Sequence, residues 1–191
     1  MKRGLSTLLL ICLPAICYSQ ERPAGVKAEY DKFKDVTSIT LEPQLLYGRD
    51  PAATAVAAAI LSEATNLPLR ANYDALIIAL RTTVKSYPIR EPEHIGLIIL
   101  SISNRPRFRH DQELILLIDG KRLRLGNMDV VTSKEYPDGT IETLTMLISY
   151  KTFVQIASGD KVEGKIGPQE FLISETLSKQ IREFVRRCHP E

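Results

Sequence analysis

The sequence predicts a mainly β fold of the α+β kind: antiparallel, sandwich-like sheets with an Ala-rich surface helix and a C-terminal amphipathic helix. Three observations carry this. Gln112 to Gly126, QELILLIDGKRLRLG, reads as two strands joined at Asp119-Gly120, a dipeptide that supplies the positive φ angles of a tight hairpin turn. Two more pairs of strand-like segments flank turn chemistry, at Pro137-Asp138-Gly139 and at Gly167-Pro168. Strands joined by such short turns pair antiparallel. The clearest helical stripe is at the C-terminus, with Leu177, Ile181, Phe184, Val185 and Cys188 falling on one face.

In chain order, residues 20–29 read as a flexible lead-in and residues 30–191 as one β-rich domain. Val36, Thr37, Ile39 and Leu41 form a β-branched run that predicts a first strand up to Pro43, with a second short strand over Gln44 to Tyr47. Asp50-Pro51 is a helix start, with Asp as N-cap and Pro in the first turn, and the alanines that follow end at Asn66 and Pro68. Alanine buries little area, so this helix is expected on the surface of a sheet. Tyr73 to Lys85 fits both helical and strand spacing. The clusters Ile77-Ile78 and Thr82-Thr83-Val84 decide for a strand, because β-branched side chains are stiff in a helix.

Ile95 to Ser103 is a further apolar strand, ended by Asn104 and Pro106. Leu114 to Ile118 is an unbroken apolar run, expected to lie at the centre of a sheet with both faces covered. After the turn, Leu123 and Leu125 alternate with Arg122 and Arg124, as in a strand with one wet face. Met128 to Ser133 and Thr140 to Ser149 form the next hairpin, and Lys151 to Ala157 a short helix. Lys161 to Ile166 and Glu170 to Ile173 form the last hairpin. Ser174 is placed to cap the final helix, and Arg182, Arg186 and Arg187 sit in its second half, where the dipole favours cations.

The chain begins with an export address. Lys2 and Arg3 precede the mostly apolar Leu5 to Ile16, and Cys17 and Ser19 are the small residues a signal peptidase needs, so residues 1–19 read as a signal cleaved near Ser19. Ile11 and Ile16 precede the two early cysteines, which disfavours lipidation. A periplasmic or secreted protein is expected. It is not expected to span a membrane, since Arg81 and Lys85 close the longest later apolar run.

The whole chain has 25 basic and 23 acidic residues, and the two extra cations leave with the signal. A balanced mature chain makes nucleic acid an improbable partner. At 44% hydrophobic and 25% charged, the composition supports a packed core and excludes a disordered chain. Of three cysteines only Cys188 lies beyond the signal, so no internal disulfide is expected.

Three segments, YDKFKDVTSI, LIDGKRLRLG and KVEGKIGPQEFLIS, resemble patterns of uncharacterised exported bacterial proteins that carry no assigned activity. The resemblance implies export and a β-rich fold, and it transfers no site residue.

Chemistry-bearing patterns are sparse. His94, His110 and His189 form no metal-ligand spacing, and no HExxH or CxxC occurs, so neither metal nor cofactor is implied. Cys188-His189 reads as a buried structural thiol beside an imidazole, with a thiolate nucleophile or a metal ligand as the alternative. No GxSxG elbow or Gly-rich phosphate loop is present, and a hydrolase would need a site that no motif announces. Positive charge is the one uneven feature. Arg105, Arg107 and Arg109 alternate through NRPRFRH and, with Arg124, make a candidate site for an anionic ligand such as a lipid headgroup or polyanion. The competing reading is a solvated edge that discourages strand-to-strand aggregation. The leading expectation is a non-enzymatic binding or structural module of the cell envelope, with an envelope protein or an anionic ligand as partner.

Overall fold

The structure, a computed structural model, describes residues 25–48, 52–62, 74–85, 91–136 and 139–189. The expected signal, Asp50-Pro51, Asn66, Pro68 and Pro137-Asp138 lie outside them. Among the described residues, ten strands form two antiparallel sheets, with three helices beside them.

The larger sheet has six strands: β1 (Val26–Asp31), β2 (Val36–Tyr47), β3 (Ala75–Lys85), β4 (His94–Ser103), β7 (Asp129–Tyr136) and β8 (Gly139–Ser149). Their spatial order is β1-β2-β3-β4-β8-β7. The smaller sheet, in the order β10-β9-β5-β6, holds β5 (Glu113–Ile118), β6 (Lys121–Asn127), β9 (Val162–Ile166) and β10 (Gln169–Leu172). The expected mainly β, sandwich-like α+β architecture is what the structure shows.

Alternation in the large sheet separates two apolar faces. On one face Leu76, Ile78, Leu80, Ile95, Leu97, Ile99, Leu144 and Ile148 join a single core with Leu114, Leu116 and Ile118 of the small sheet. Helices α2 (Tyr150–Ala157) and α3 (Glu175–Cys188) close the same core with Phe153, Ile156, Leu177, Ile181 and Phe184. On the other face the Ala-rich helix α1 (Ala52–Leu61) packs Ala53, Val56 and Ala57 on Ala75, Ile77, Leu100 and Ile102. Alanine brings the helix close to the sheet and adds little area, so this second cluster is small. The Ser174 hydroxyl accepts from the Leu177 N–H at 3.2 Å, which caps α3 as the sequence predicts.

Three details differ from the sequence reading. Residues 20–29 include the start of a strand, because β1 begins at Val26 and pairs Val26 to Asp31 with Leu41 to Val36. The two short strands around Pro43 are one strand, β2, whose pairing with β3 shifts register between Leu41 and Gln44. Proline has no N–H to give the ladder, and a register shift is where a strand tolerates it. Third, β5 is central between β9 and β6, but only one of its faces is covered. Leu114, Leu116 and Ile118 are buried, whereas Leu117 is 39% exposed on the opposite face. No described helix or strand lies over that outer face.

Candidate functional site

The connection from β4 to β5, residues 104–112, carries three of the four arginines and crosses from the large sheet to the small one. A buried carboxylate holds it. Glu142, 1% exposed on β8, accepts the Arg107 N–H at 2.8 Å and the Phe108 N–H at 3.1 Å. Phe108 is fully buried beneath the loop. The Ser103 hydroxyl donates to the Arg105 carbonyl at 2.9 Å, and the Gln112 side chain donates to the Phe108 carbonyl. Four backbone groups of this loop are thus paired, two of them by Glu142 of β8.

The arginines do not share one surface. Arg107 is partly buried and donates to Asp74, just before β3, and to Gln169 of β10. Burial pulls its pKa below the ordinary arginine value, and Tyr47 and Glu142 act in the opposite sense. Arg109 reaches the other way, pairing with Glu135 of β7 at 2.5 Å. β3 and β7 are three strand spacings apart in the sheet, or about 14 Å. Arg124 lies on the outer face of the small sheet with Glu113 at 2.9 Å. Arg105 is exposed and has no ion-pair partner among the described residues. Three of the four guanidiniums thus already face a carboxylate.

The outer face of the small sheet is concave. An open depression of ≈ 630 Å³ lies there. Its floor follows from the register. One cross-strand row runs Leu172, Glu163, Leu117, Arg122, and the next runs Glu170, Lys165, Ile115, Arg124. Carboxylates lie toward β10, guanidiniums line β6, and partly exposed aliphatic side chains lie between. Glu163 is paired with Lys161 at 2.8 Å. Arg122 and Lys165 have no ion-pair partner among the described residues. That volume lies in the range of small-ligand sites.

Behind this outer face, Gly164 lies in the core-facing row Phe171, Gly164, Leu116, Leu123. It pairs with Phe171 across β9 and β10, and a Cβ at Gly164 would overlap the Phe171 ring. The ring fills the space that glycine leaves, as aromatic side chains do beside strand glycines. Gly164→Ala is expected to cost roughly 1–3 kcal/mol through overpacking, read as a lower urea midpoint. An unchanged midpoint would show that the ring swings aside freely.

The sulfur and imidazole groups do not converge with this face. Cys188 is fully buried, and burial pushes its thiol up to about 12. Tyr150 is also pushed up to about 12, chiefly by burial, and its hydroxyl donates to the Val185 carbonyl at 3.4 Å. Both groups are thus held in their neutral forms by the fold. A raised folded pKa contributes stability that is complete below the unfolded value and is lost as pH climbs through the folded one. Urea midpoints should therefore be flat up to pH about 9 and fall as pH approaches about 12. Cys188→Ala should remove part of that alkaline slope and leave the share of Tyr150; an unaltered slope would contradict the assignment.

His189 pairs with Glu91 at 3.0 Å and His94 lies 3.9 Å from Glu93, both at the surface. Among the described residues no group of three or more His, Cys, Asp or Glu side chains is arranged to hold a metal ion. No described helix is long and apolar enough to cross a membrane. Comparison of the chain with protein-family models, with curated proteins and with solved structures finds no match.

The depression was only half legible in sequence. Arg122 and Arg124 announce a wet face, but the apolar run Leu114 to Ile118 hides which of its members are exposed. The usable signal was pairing: Arg122 lies opposite Leu117, and Arg124 opposite Ile115.

Proposed function

We propose that the protein is an exported, non-enzymatic binding module of the cell envelope, which seats an extended peptide of a partner protein on the outer face of its small sheet. The observation that carries this is the depression itself: Ile115, Leu117 and Leu172 lie exposed or half-exposed between a basic and an acidic border. Arg122 and Lys165 lack an internal partner among the described residues, so an acidic residue beside apolar ones is the matching peptide chemistry. Export rests on the basic Lys2-Arg3 pair and the apolar segment after it. The arginine-loop reading has weaker support, because Arg107, Arg109 and Arg124 each face a carboxylate.

The test is selection of displayed random peptides on the full chain, counter-screened with Leu117→Ser and Arg122→Glu. Leu117 and Arg122 are exposed, so both variants should fold. Peptides pairing an acidic residue with apolar neighbours should be enriched, and each variant should lose them. Equal capture by the wild type and both variants would sink the proposal. N-terminal sequencing of the protein from its host should begin at Gln20; an intact Met1 would sink the export part.

A further inference from the structure

The hairpin between β1 and β2 carries a second surface, remote in sequence from the small sheet. Its connection is Lys32-Phe33-Lys34-Asp35, and Phe33 at its tip is 89% exposed. Tyr30, beside the turn, is 58% exposed. Water-exposed phenylalanine forgoes burial that a core position would give it. Here the exposure is built in. The Asp31 carboxylate accepts the Phe33 N–H at 2.9 Å and the Lys34 N–H at 3.3 Å. Asp35 has a left-handed backbone at φ 51 and accepts the Tyr30 hydroxyl at 3.1 Å. Both carboxylates of the turn are thus engaged in holding its shape.

The two lysines behave differently. The Lys34 side chain is 78% exposed, with its ammonium 3.8 Å from the Asp31 carboxylate, and Lys32 lies over the Phe33 ring, 5.0 Å from its centroid. A third exposed cation, Lys85, ends β3 directly opposite Val36, the first residue after the turn. The tip therefore presents one aromatic ring among cations, on a turn that is ordered before anything binds. Apolar side chains enter the interface of a bilayer, tyrosine suits its headgroup level, and lysines are drawn to anionic lipids.

We propose that this hairpin tip is a membrane-surface anchor, with Phe33 entering an anionic bilayer and Lys32, Lys34 and Lys85 meeting its headgroups. One ring and three lysines give reversible attachment rather than permanent anchoring. The depression on the small sheet takes no part in it, so the two proposals stand or fall separately.

The chain has no tryptophan, so Phe33→Trp in the full chain makes a fluorophore that reports on the tip alone. Its emission should shift to the blue on adding vesicles that contain phosphatidylglycerol, and should shift less with phosphatidylcholine alone or at high salt. Replacing both Lys32 and Lys34 with glutamine should lower the partition into anionic vesicles by about thirtyfold. Unchanged emission with anionic vesicles would overturn the proposal, even if the protein sediments with them through its N-terminal segment. Equal partition after the lysine replacement would overturn it too. A blue shift produced by a protein fraction and by no vesicle would assign Phe33 to a protein pocket instead.

Discussion

Glu142→Ala is expected to lower the unfolding free energy by about 2–4 kcal/mol, from the loss of two charge-assisted hydrogen bonds in a buried site. The carboxylate is 1% exposed and is the acceptor for both the Arg107 and the Phe108 N–H. Truncation leaves two backbone donors without an acceptor and opens space beside Phe108. Part of that cost is offset, because a buried carboxylate no longer has to be kept out of water. Two orphaned donors outweigh that gain, since each costs about 1–3 kcal/mol when left unmet. Glu142→Gln should cost less, because its amide oxygen can still take one of the two bonds. Urea unfolding of both variants checks the order. A loss below about 1 kcal/mol for alanine would mean that water replaces the carboxylate. Because the same residue pins the crossover between the sheets, the alanine variant should also raise hydrogen exchange across residues 104–112.

Phe184→Ala is expected to cost roughly 3–5 kcal/mol, the range for truncating a large buried aromatic. Phe184 is fully buried, and its ring meets Phe153 edge-on, with centroids 5.8 Å apart at 70°. That contact joins α3 to α2 above the large sheet, so its removal should undock the C-terminal helix and leave the hairpins paired. Phe184→Leu, which keeps most of the volume, should lose less. The same residue type gives the opposite result at the hairpin tip. Phe33→Ala should leave stability within about 0.5 kcal/mol of the wild type, since Phe33 is 89% exposed. Thermal unfolding of the three variants compares them directly. A Phe184→Ala protein as stable as Phe33→Ala would show that α3 is dispensable to the core.

The elements and their turns were legible in the residues because they depend on neighbours. Asp119 at φ 50 and Gly120 at φ 79 adopt the positive angles expected of that dipeptide. Leu177, Ile181, Phe184 and Cys188 all face the core from α3. Val26 to Asp31 was missed because its side chains are mostly exposed, so no apolar alternation marks it as a strand. The arginine loop was misleading for a related reason. Charge in a sequence is visible, but the carboxylate that meets it is not, when Asp74 lies 33 residues before Arg107.

By itself, then, the sequence determined the described strands and helices apart from β1 and the unbroken course of β2, with the Asp119-Gly120 turn and the Ser174 cap, since φ preferences, β-branching and period act within a few residues. Only the tertiary structure decided which strands become neighbours, such as β4 with β8 and β5 with β9. It also decided that Leu117 is wet, that Arg107 is paired, and that Glu142 is buried under a loop 34 residues away in sequence. Those outcomes depend on which layer covers which face. Burial and charge pairing are properties of two surfaces brought together, and a single stretch of chain carries only one of them.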